Sequence, residues 1–288
     1  MSRFSAVPLD LSRLPAPNAL RDLDFKAIEA ERLASLKARF AEVGIAWDVD
    51  RLKYDPAVIL QIEDANRELL GYGAINDAVR AVLPLFATGG DLDQIALRYG
   101  VIRLPGEDNT RLRARVLLAP EAMSCAGTKG AYIFHAATAA LAVYDVGVDR
   151  PAPGHVDVTI TEAGGAASAD LVDIVRAWLF QDTVKPFTDI LSVSAAGIVS
   201  YSIAVRLLIP AGPDPLIVKA NAEAALAAEA ATLFVIGRSV PLSAITAAAR
   251  VPNVRDVIIE SPVSPISVTK RQAAKCAGTT VTVEVVDD

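Results

Sequence analysis

The chain has 288 residues, 52% of them hydrophobic and 22% charged, which is enough for two or three domains with their own cores. Its formal net charge of −6 argues against nucleic acid as the main partner, because nucleic-acid-binding domains usually carry a basic face. No apolar run approaches the roughly 18 residues of a membrane span, and the N-terminus lacks the apolar core of a signal peptide. With only two cysteines and therefore no disulfide framework, we expect a soluble protein made in a reducing cytoplasm.

The first 23 residues predict an extended arm. Pro8, Pro15 and Pro17 restrict φ and remove backbone donors, which disfavours a helix. The apolar residues of this arm suit docking on a neighbouring protein, and a frayed terminus is the alternative interpretation. An amphipathic helix is predicted next, over residues 24–43.

A long helix is predicted after it, with Asp55 as the cap and Pro56 at the first helical position. From Val58 onward its apolar residues alternate in steps of four and three, which is the spacing of a heptad seam. The seam runs through Val58, Ile62, Ala65, Leu69, Tyr72, Asn76, Val79, Leu83 and Phe86. A second apolar row widens this face and consists of Ile59, Leu70, Ile75 and Val82. A bend is expected near Pro84.

The seam has two possible partners. It can pack against another chain, or it can form an intramolecular bundle with the helix of residues 24–43. Because the geometry of a seam is the same in both cases, the spacing alone favours neither interpretation.

Residues 90–116 contain the densest helix start and stop signals in the chain. Asp91 is predicted to cap one helix, and Gly100 fits the left-handed position that often follows a helix. The apolar stripe of this helix is Leu92, Ile95 and Ala96. After a turn, Asp108 or Asn109 can cap a second helix. These signals indicate a helical hairpin between a helical first half and a strand-rich second half.

In the second half the apolar period changes from helical to alternating. After a further helix over residues 128–141, His155–Thr161 alternates cleanly, which predicts a strand with one buried and one wet face. Ser168 can cap a helix, and a returning strand follows at residues 190–193. A second strand–helix–strand pattern begins at Tyr201, which indicates a weak internal duplication. The chain is then predicted to end in a β-hairpin over residues 266–286.

These elements predict an α+β fold, with an N-terminal helical region followed by two small α+β modules. The predicted divisions are an arm at residues 1–23, a helical region at 24–140, and modules at 141–197 and 198–288. A fragment beginning near residue 141 is accordingly expected to fold by itself.

The polar residues reveal no catalytic, cofactor or metal site. His135 and His155 have no further ligands at recognisable spacing, and residues 127–130 lack the glycine spacing of a phosphate loop, so Thr128 is predicted to be a helix cap. A basic cluster of Lys270, Arg271 and Lys275 is predicted to lie on a solvated hairpin face. We therefore expect a protein that is not an enzyme. The alternative is a hydrolase with a cleft between the two modules.

Several motifs resemble the baseplate J family, whose members are wedge proteins in the baseplates of contractile phage tails. In chain order, the similar motifs are Leu14–Pro17, Leu23–Phe25, Asp91–Asp93, Tyr99–Val101, Arg103–Glu107, Cys125–Tyr132, Phe134–Ala136 and Cys276–Gly278. None of these motifs is catalytic in the family. Together they extend over almost the whole chain.

The resemblance implies a structural protein of the virion, located in the tail baseplate and assembled in the host cytoplasm, without a cofactor. It also implies the partners, which are a second copy of the chain, a second baseplate wedge protein, a sheath-initiator-type baseplate protein and neighbouring wedges. The N-terminal helices would bundle with the first two, and the C-terminal modules would link wedges into a ring. Combined with the seam, this gives a predicted partner interface of Val58, Ile62, Leu69, Tyr72, Asn76, Val79, Leu83 and Phe86.

Overall fold

The computed structural model describes residue 4, residue 15 and residues 17–48, 54–124 and 127–286. Within this part of the chain there are eight helices and seven strands, with helices first and strand-containing modules after them, which confirms the predicted α+β class. The chain divides into two compact units, Asp10–Arg98 on the one hand and Met1–Leu9 with Tyr99–Asp288 on the other. The four-part domain division stays a prediction, and the predicted arm lies mostly outside the described residues.

The first unit contains three helices. These are α1 (Phe25–Glu42), α2 (Pro56–Ala81) and α3 (Gly89–Arg98). Asp24 and Asp55 cap α1 and α2, and each carboxylate accepts two backbone N–H groups of the first turn. Pro56 occupies the first position of α2, as predicted, because the N–H that proline lacks would have no partner there.

Two predictions in the first unit are wrong. Helix α2 ends at Ala81 and does not bend near Pro84, because a proline cannot donate the next helical bond and disfavours helical geometry before it. Leu83 and Phe86 therefore lie beyond the helix. Asp91 does not cap α3, because that helix already begins at Gly89 and places Asp91 within its first turn. An acidic residue at that place is still favourable, since it faces the positive end of the helix dipole.

The second unit contains five helices. They are α4 (Asn109–Ala122), α5 (Lys129–Ala139), α6 (Ala169–Leu179), α7 (Pro215–Leu233) and α8 (Leu242–Ala249). Asp108, Thr128 and Ser168 cap α4, α5 and α6 through hydrogen bonds to backbone N–H groups, which confirms the caps predicted at these positions. Gly100 has a φ of 68°, the left-handed conformation expected of it.

The first sheet is built around a central strand. Its strands are β1 (Asp145–Ala152), β2 (His155–Glu162), β3 (Gly165–Ala166) and β4 (Ile190–Ala195). β2 pairs antiparallel with β1 on one side and parallel with β4 on the other, and the short β3 pairs with its end. α5 packs on β1, and α6 packs on α5 and β4. β1 was not predicted, because Gly147 and Pro151 interrupt its alternating pattern.

Both faces of β2 are buried, whereas the sequence pattern predicted one wet face. Val158 and Ile160 lie on the predicted apolar face, but Thr159 and Thr161 on the opposite face are also only 2% and 1% exposed. The second module covers this opposite face, as shown by the ion pair between Arg271 and Asp157. The alternating pattern showed which residues of β2 are apolar, but it could not show that the second module also covers the polar face.

The second sheet has the strand order β6, β5, β7. Its strands are β5 (Gly197–Pro210), β6 (Asp256–Ser261) and β7 (Gln272–Val286). Residues of α7 and α8 bury the alternating apolar residues of β5, which are Tyr201, Ile203, Val205, Leu207 and Ile209. The predicted C-terminal hairpin is wrong. Residues 272–286 form one strand that pairs parallel with the whole of β5, and Ala277 is accommodated as a bulge.

The predicted duplication of strand–helix–strand modules is not reproduced in the strand directions. In the first module β2 and β4 are parallel, whereas in the second β5 and β6 are antiparallel. Among the described residues, no helix is long and apolar enough to cross a membrane.

Candidate partner-binding surface

In the first unit, α1 packs against α2 and polar residues beside the seam join the two helices. The Arg32 guanidinium of α1 lies 3.0 Å from the Glu68 carboxylate and 3.6 Å from that of Asp64 on α2. The Tyr72 hydroxyl donates a hydrogen bond of 2.6 Å to Glu68, which raises the pKa of Tyr72. This arrangement supports an intramolecular helix pair, the second of the two interpretations of the seam.

Asn76, the polar position of the seam, is used within the chain. Its side-chain oxygen accepts the backbone N–H of Arg21 at 2.7 Å, and its amide nitrogen donates to the Arg21 carbonyl at 2.9 Å. The side chain is buried, and the Arg21 guanidinium lies over the Tyr72 ring. Because buried amides are costly without partners, this pair fixes the segment before α1 against α2.

The structure brings the predicted interface residues onto one side of α2 and the turn after it. Val58 and Asn76 are buried, Ile62, Leu69, Tyr72, Val79 and Leu83 are half-buried, and Phe86 is exposed. Part of the seam is therefore already covered within the chain. The assignment of these eight residues to a partner interface stays a prediction.

Large apolar side chains on the remainder of α2 and at its C-cap are largely uncovered. They are between 46% and 67% exposed and comprise Ile59, Leu60, Leu70, Ile75 and Val82. Four of them belong to the second apolar row of the sequence pattern. Leu60 was not part of that row. Several exposed large apolar side chains on one helix favour a protein–protein contact. We define these five residues as the α2 outer row.

In the second unit, the Arg103–Glu107 motif and the arginine-rich α4 form a buried ionic cluster. The Glu107 carboxylate accepts the Leu104 N–H at 2.9 Å and pairs with Arg115 at 2.7 Å and Arg111 at 3.4 Å. Glu107 and Arg115 are 5% and 1% exposed, so the pair is removed from water. Burial lowers the pKa of the Arg115 guanidinium, and the Glu107 charge opposes this shift.

Arg111 connects this cluster to the end of α5. Its guanidinium donates to the carbonyls of Ala137, Ala140 and Val143 at 2.6–3.0 Å, where the last turn of α5 leaves acceptors without helical partners. The Phe4 ring lies 4.9 Å from the same guanidinium. The motif therefore fixes α4 to α5 and is structural, as its physical signals indicated. A glutamate just before the cap of α4, followed at four-residue steps by Arg111 and Arg115 on the helix, was the sequence signal for this cluster.

The residues considered for chemistry lie apart from one another. His135 is half-buried on α5, and His155 is exposed at the start of β2. Within the described ranges, no group of three or more histidine, cysteine, aspartate or glutamate side chains is placed to bind a metal ion. Ser124 is exposed, and Cys125 lies outside the described residues.

His135 makes the stability of the protein depend on pH. Burial lowers the pKa of its imidazole, so the unfolded chain binds a proton at a higher pH than the folded chain does. The stabilising effect of the neutral form is complete above the unfolded pKa near 6.5 and is lost as pH falls through the folded pKa. We expect His135→Gln to lose less stability than the unchanged protein between pH 7 and 5 in urea unfolding. His155→Ala serves as the control, and an identical pH profile for His135→Gln would contradict the assignment.

The basic cluster of Lys270, Arg271 and Lys275 contributes contacts between the two modules. Lys270 pairs with Asp149 at 2.9 Å, which lowers the pKa of that carboxyl. Arg271 pairs with Asp157, and Lys275 donates to the Gly164 carbonyl. The predicted hairpin is wrong, because these residues precede and begin the strand β7. The Lys270 and Arg271 side chains are nevertheless 78% and 52% exposed, so the predicted solvent exposure holds for these two.

Buried contacts reinforce this junction. The backbone N–H of Ile236 donates to the Asp145 carboxylate at 2.7 Å, and the rings of Tyr144 and Phe234 lie 5.4 Å apart. The described lining of the cleft between the modules includes no serine, cysteine or histidine. That part of the cleft therefore lacks the serine or cysteine nucleophile and the histidine base that many hydrolases use.

Comparisons with known proteins agree with this structural character. The sequence model of the baseplate J-like N-terminal domain matches residues 55–107, and that of the baseplate J-like central domain matches residues 124–195. The chain is also similar to baseplate protein J of Escherichia phage P2. The two are 35% identical over 93% of this chain and 95% of the phage P2 protein. The N-terminal match includes α2, α3 and the Arg103–Glu107 motif.

Proposed function

Since the chain belongs to the baseplate J family, we propose that it joins other wedge proteins through its N-terminal helices and links wedges through its C-terminal modules. At the coarser level, the protein is a structural component of a phage tail baseplate, a part of the virion that contacts other baseplate proteins. The proposal names a second copy of the chain and a second wedge protein as the partners of the helices. A sheath-initiator-type protein and neighbouring wedges are the proposed partners of the modules. It assigns no enzymatic activity.

The observation that carries the helical part is the α2 outer row. Five large apolar side chains stay substantially exposed although α1 already packs on α2. Their exposure is costly in a free chain, and partner helices that pack along α2 would remove them from water. The half-buried seam residues lie on the same helix, so a third helix could contact both the seam and the α2 outer row. This makes the α1–α2 pair an incomplete bundle.

We expect Leu70→Asp to weaken the complex with the second wedge protein at least about tenfold, because a carboxylate in an apolar contact is desolvated without a partner. Leu70 is 67% exposed in the single chain, so its replacement leaves the packing of α1 on α2 intact. Co-expression with the second wedge protein, followed by pull-down and titration of the purified complex, measures the effect. Thermal unfolding of the single chain checks that the variant is folded.

The matched control is Leu216→Asp, since Leu216 on α7 is 75% exposed and lies in the other unit. The control should bind the second wedge protein as the unchanged chain does. Leu69→Asp, which changes a half-buried seam residue, should reduce both binding and the stability of the helix pair. Full complex formation by Leu70→Asp would overturn the proposed use of the α2 outer row.

A further inference from the structure

A groove of about 650 Å³ runs along the outer edge of β1 in the second unit. One wall is the start of α5, with Lys129, Tyr132 and Ile133. The other wall comes from the second module, with Lys270 and residues 235–237. Its volume lies within the range of ligand-binding clefts, and its long side is a strand.

This edge of β1 is open. β1 pairs with β2 on its inner side, and the described residues provide no strand on its outer side. The second module contacts one face of β1 rather than its outer edge. A side chain at Gly147 would meet Ile236 at 2.6 Å, and the carboxylates of Asp145 and Asp149 point to the same face. An open edge presents unpaired N–H and C=O groups at alternate residues, which another extended chain can pair with.

The charges beside the groove favour an acidic occupant. Lys129 and Arg150 are exposed, and neither side chain has an acidic partner among the described residues. The carboxylates in the groove are already used, since Asp149 pairs with Lys270 and Asp145 accepts the Ile236 N–H. The N-terminal end of α5, capped by Thr128, adds the positive end of a helix dipole to the same wall.

We infer that this groove binds an extended, acidic segment of a neighbouring baseplate protein, which adds to the first sheet as a strand beside β1. Backbone pairing with β1 supplies the binding geometry, and Lys129 with Arg150 supplies the preference for carboxylates. The inference rests on the proposed role of the modules in linking wedges. It does not require the helical bundle.

The test uses the full chain and a panel of blocked decapeptides with alternating valine and threonine. In one series glutamate replaces two or four threonines, and in a second series lysine replaces them. Fluorescence anisotropy should show the peptide with four glutamates binding at least about tenfold more tightly than its lysine counterpart at low salt. Hydrogen exchange should show new protection in residues 145–150. An N-methylated form of the acidic peptide should bind weakly, because it cannot pair with a strand edge.

The double variant Lys129→Glu with Arg150→Glu should reverse the preference, so that lysine peptides bind more tightly. Lys26→Glu with Arg98→Glu changes the net charge equally in the other unit and should leave the preference unchanged. Absence of binding, equal affinity for both series, or protection away from β1 would each overturn the inference. If no peptide binds while Leu70→Asp still disrupts the wedge complex, this inference fails and the proposed helical contact stands.

Discussion

Replacing Glu107 with alanine is expected to lower the free energy of unfolding of the second unit by about 3 to 5 kcal/mol. The variant leaves the Arg115 guanidinium buried at 1% exposure without its carboxylate, and it removes the acceptor for the Leu104 N–H. Arg111 loses the same partner while its bonds to the end of α5 remain. Urea unfolding of the full chain, followed by near-ultraviolet circular dichroism, measures this loss.

Two variants separate charge from capping. Glu107→Gln keeps the shape and the acceptor for Leu104 but removes the charge, so its effect should be intermediate. Asp108→Ala removes the neighbouring helix cap and should cost only about 1 kcal/mol. A loss for Glu107→Ala no larger than that of Asp108→Ala would show that the buried ionic cluster contributes little to stability.

The local parts of this fold could be predicted from the sequence. Asp55, Thr128 and Ser168 cap their helices as expected, because a cap depends on the side chain and the next three backbone groups. The row of seam residues was predicted for the same reason, since helical spacing alone places them on one side of α2.

The parts that depend on distant segments could not be predicted. The alternating pattern of β2 predicted that the polar side chain of Thr159 faces solvent, yet the second module buries it. Residues 272–286 form one strand because β5, about 75 residues earlier, offers a partner along its full length. The basic residues before β7 acquire partners for the same reason, since Asp149 and Asp157 come from the first module. A pattern of residue types contains no information on which strand lies beside which.

The candidate partner surface also could be predicted only in part from the sequence. The sequence identified α2 as apolar on one broad side but left open whether α1 or another protein covers the seam. The structure places Asn76 against Arg21 and leaves the α2 outer row exposed, so the partner contact is best sought at Leu70 and its neighbours. The structure thus supports the intramolecular interpretation for part of the seam, whereas a partner contact at the α2 outer row is our proposal.

A fragment of residues 99–288 is expected to unfold cooperatively. A fragment of residues 141–288, which the sequence pattern predicted to fold by itself, is expected from the structure to lack a stable fold. The shorter fragment lacks α5, whose buried Tyr132, Ile133 and Phe134 belong to the helix that packs on β1 and α6. Their loss removes roughly 5 to 9 kcal/mol of apolar burial, which is comparable to the whole stability of a domain. It also removes the α5 carbonyls that Arg111 binds.

Thermal unfolding by circular dichroism and the dispersion of amide signals in NMR spectra measure the outcome. The longer fragment should give one sharp transition and dispersed signals, because α4, α5 and both sheets lie within one compact unit. A third fragment of residues 124–288 keeps α5 but lacks the Glu107 cluster, so it should be folded and less stable than the longest one. If residues 141–288 unfold cooperatively at the same temperature as residues 99–288, the packing of α5 on β1 is dispensable. The boundary near residue 140, predicted from the change in apolar period, would then separate two independently folding parts of the chain.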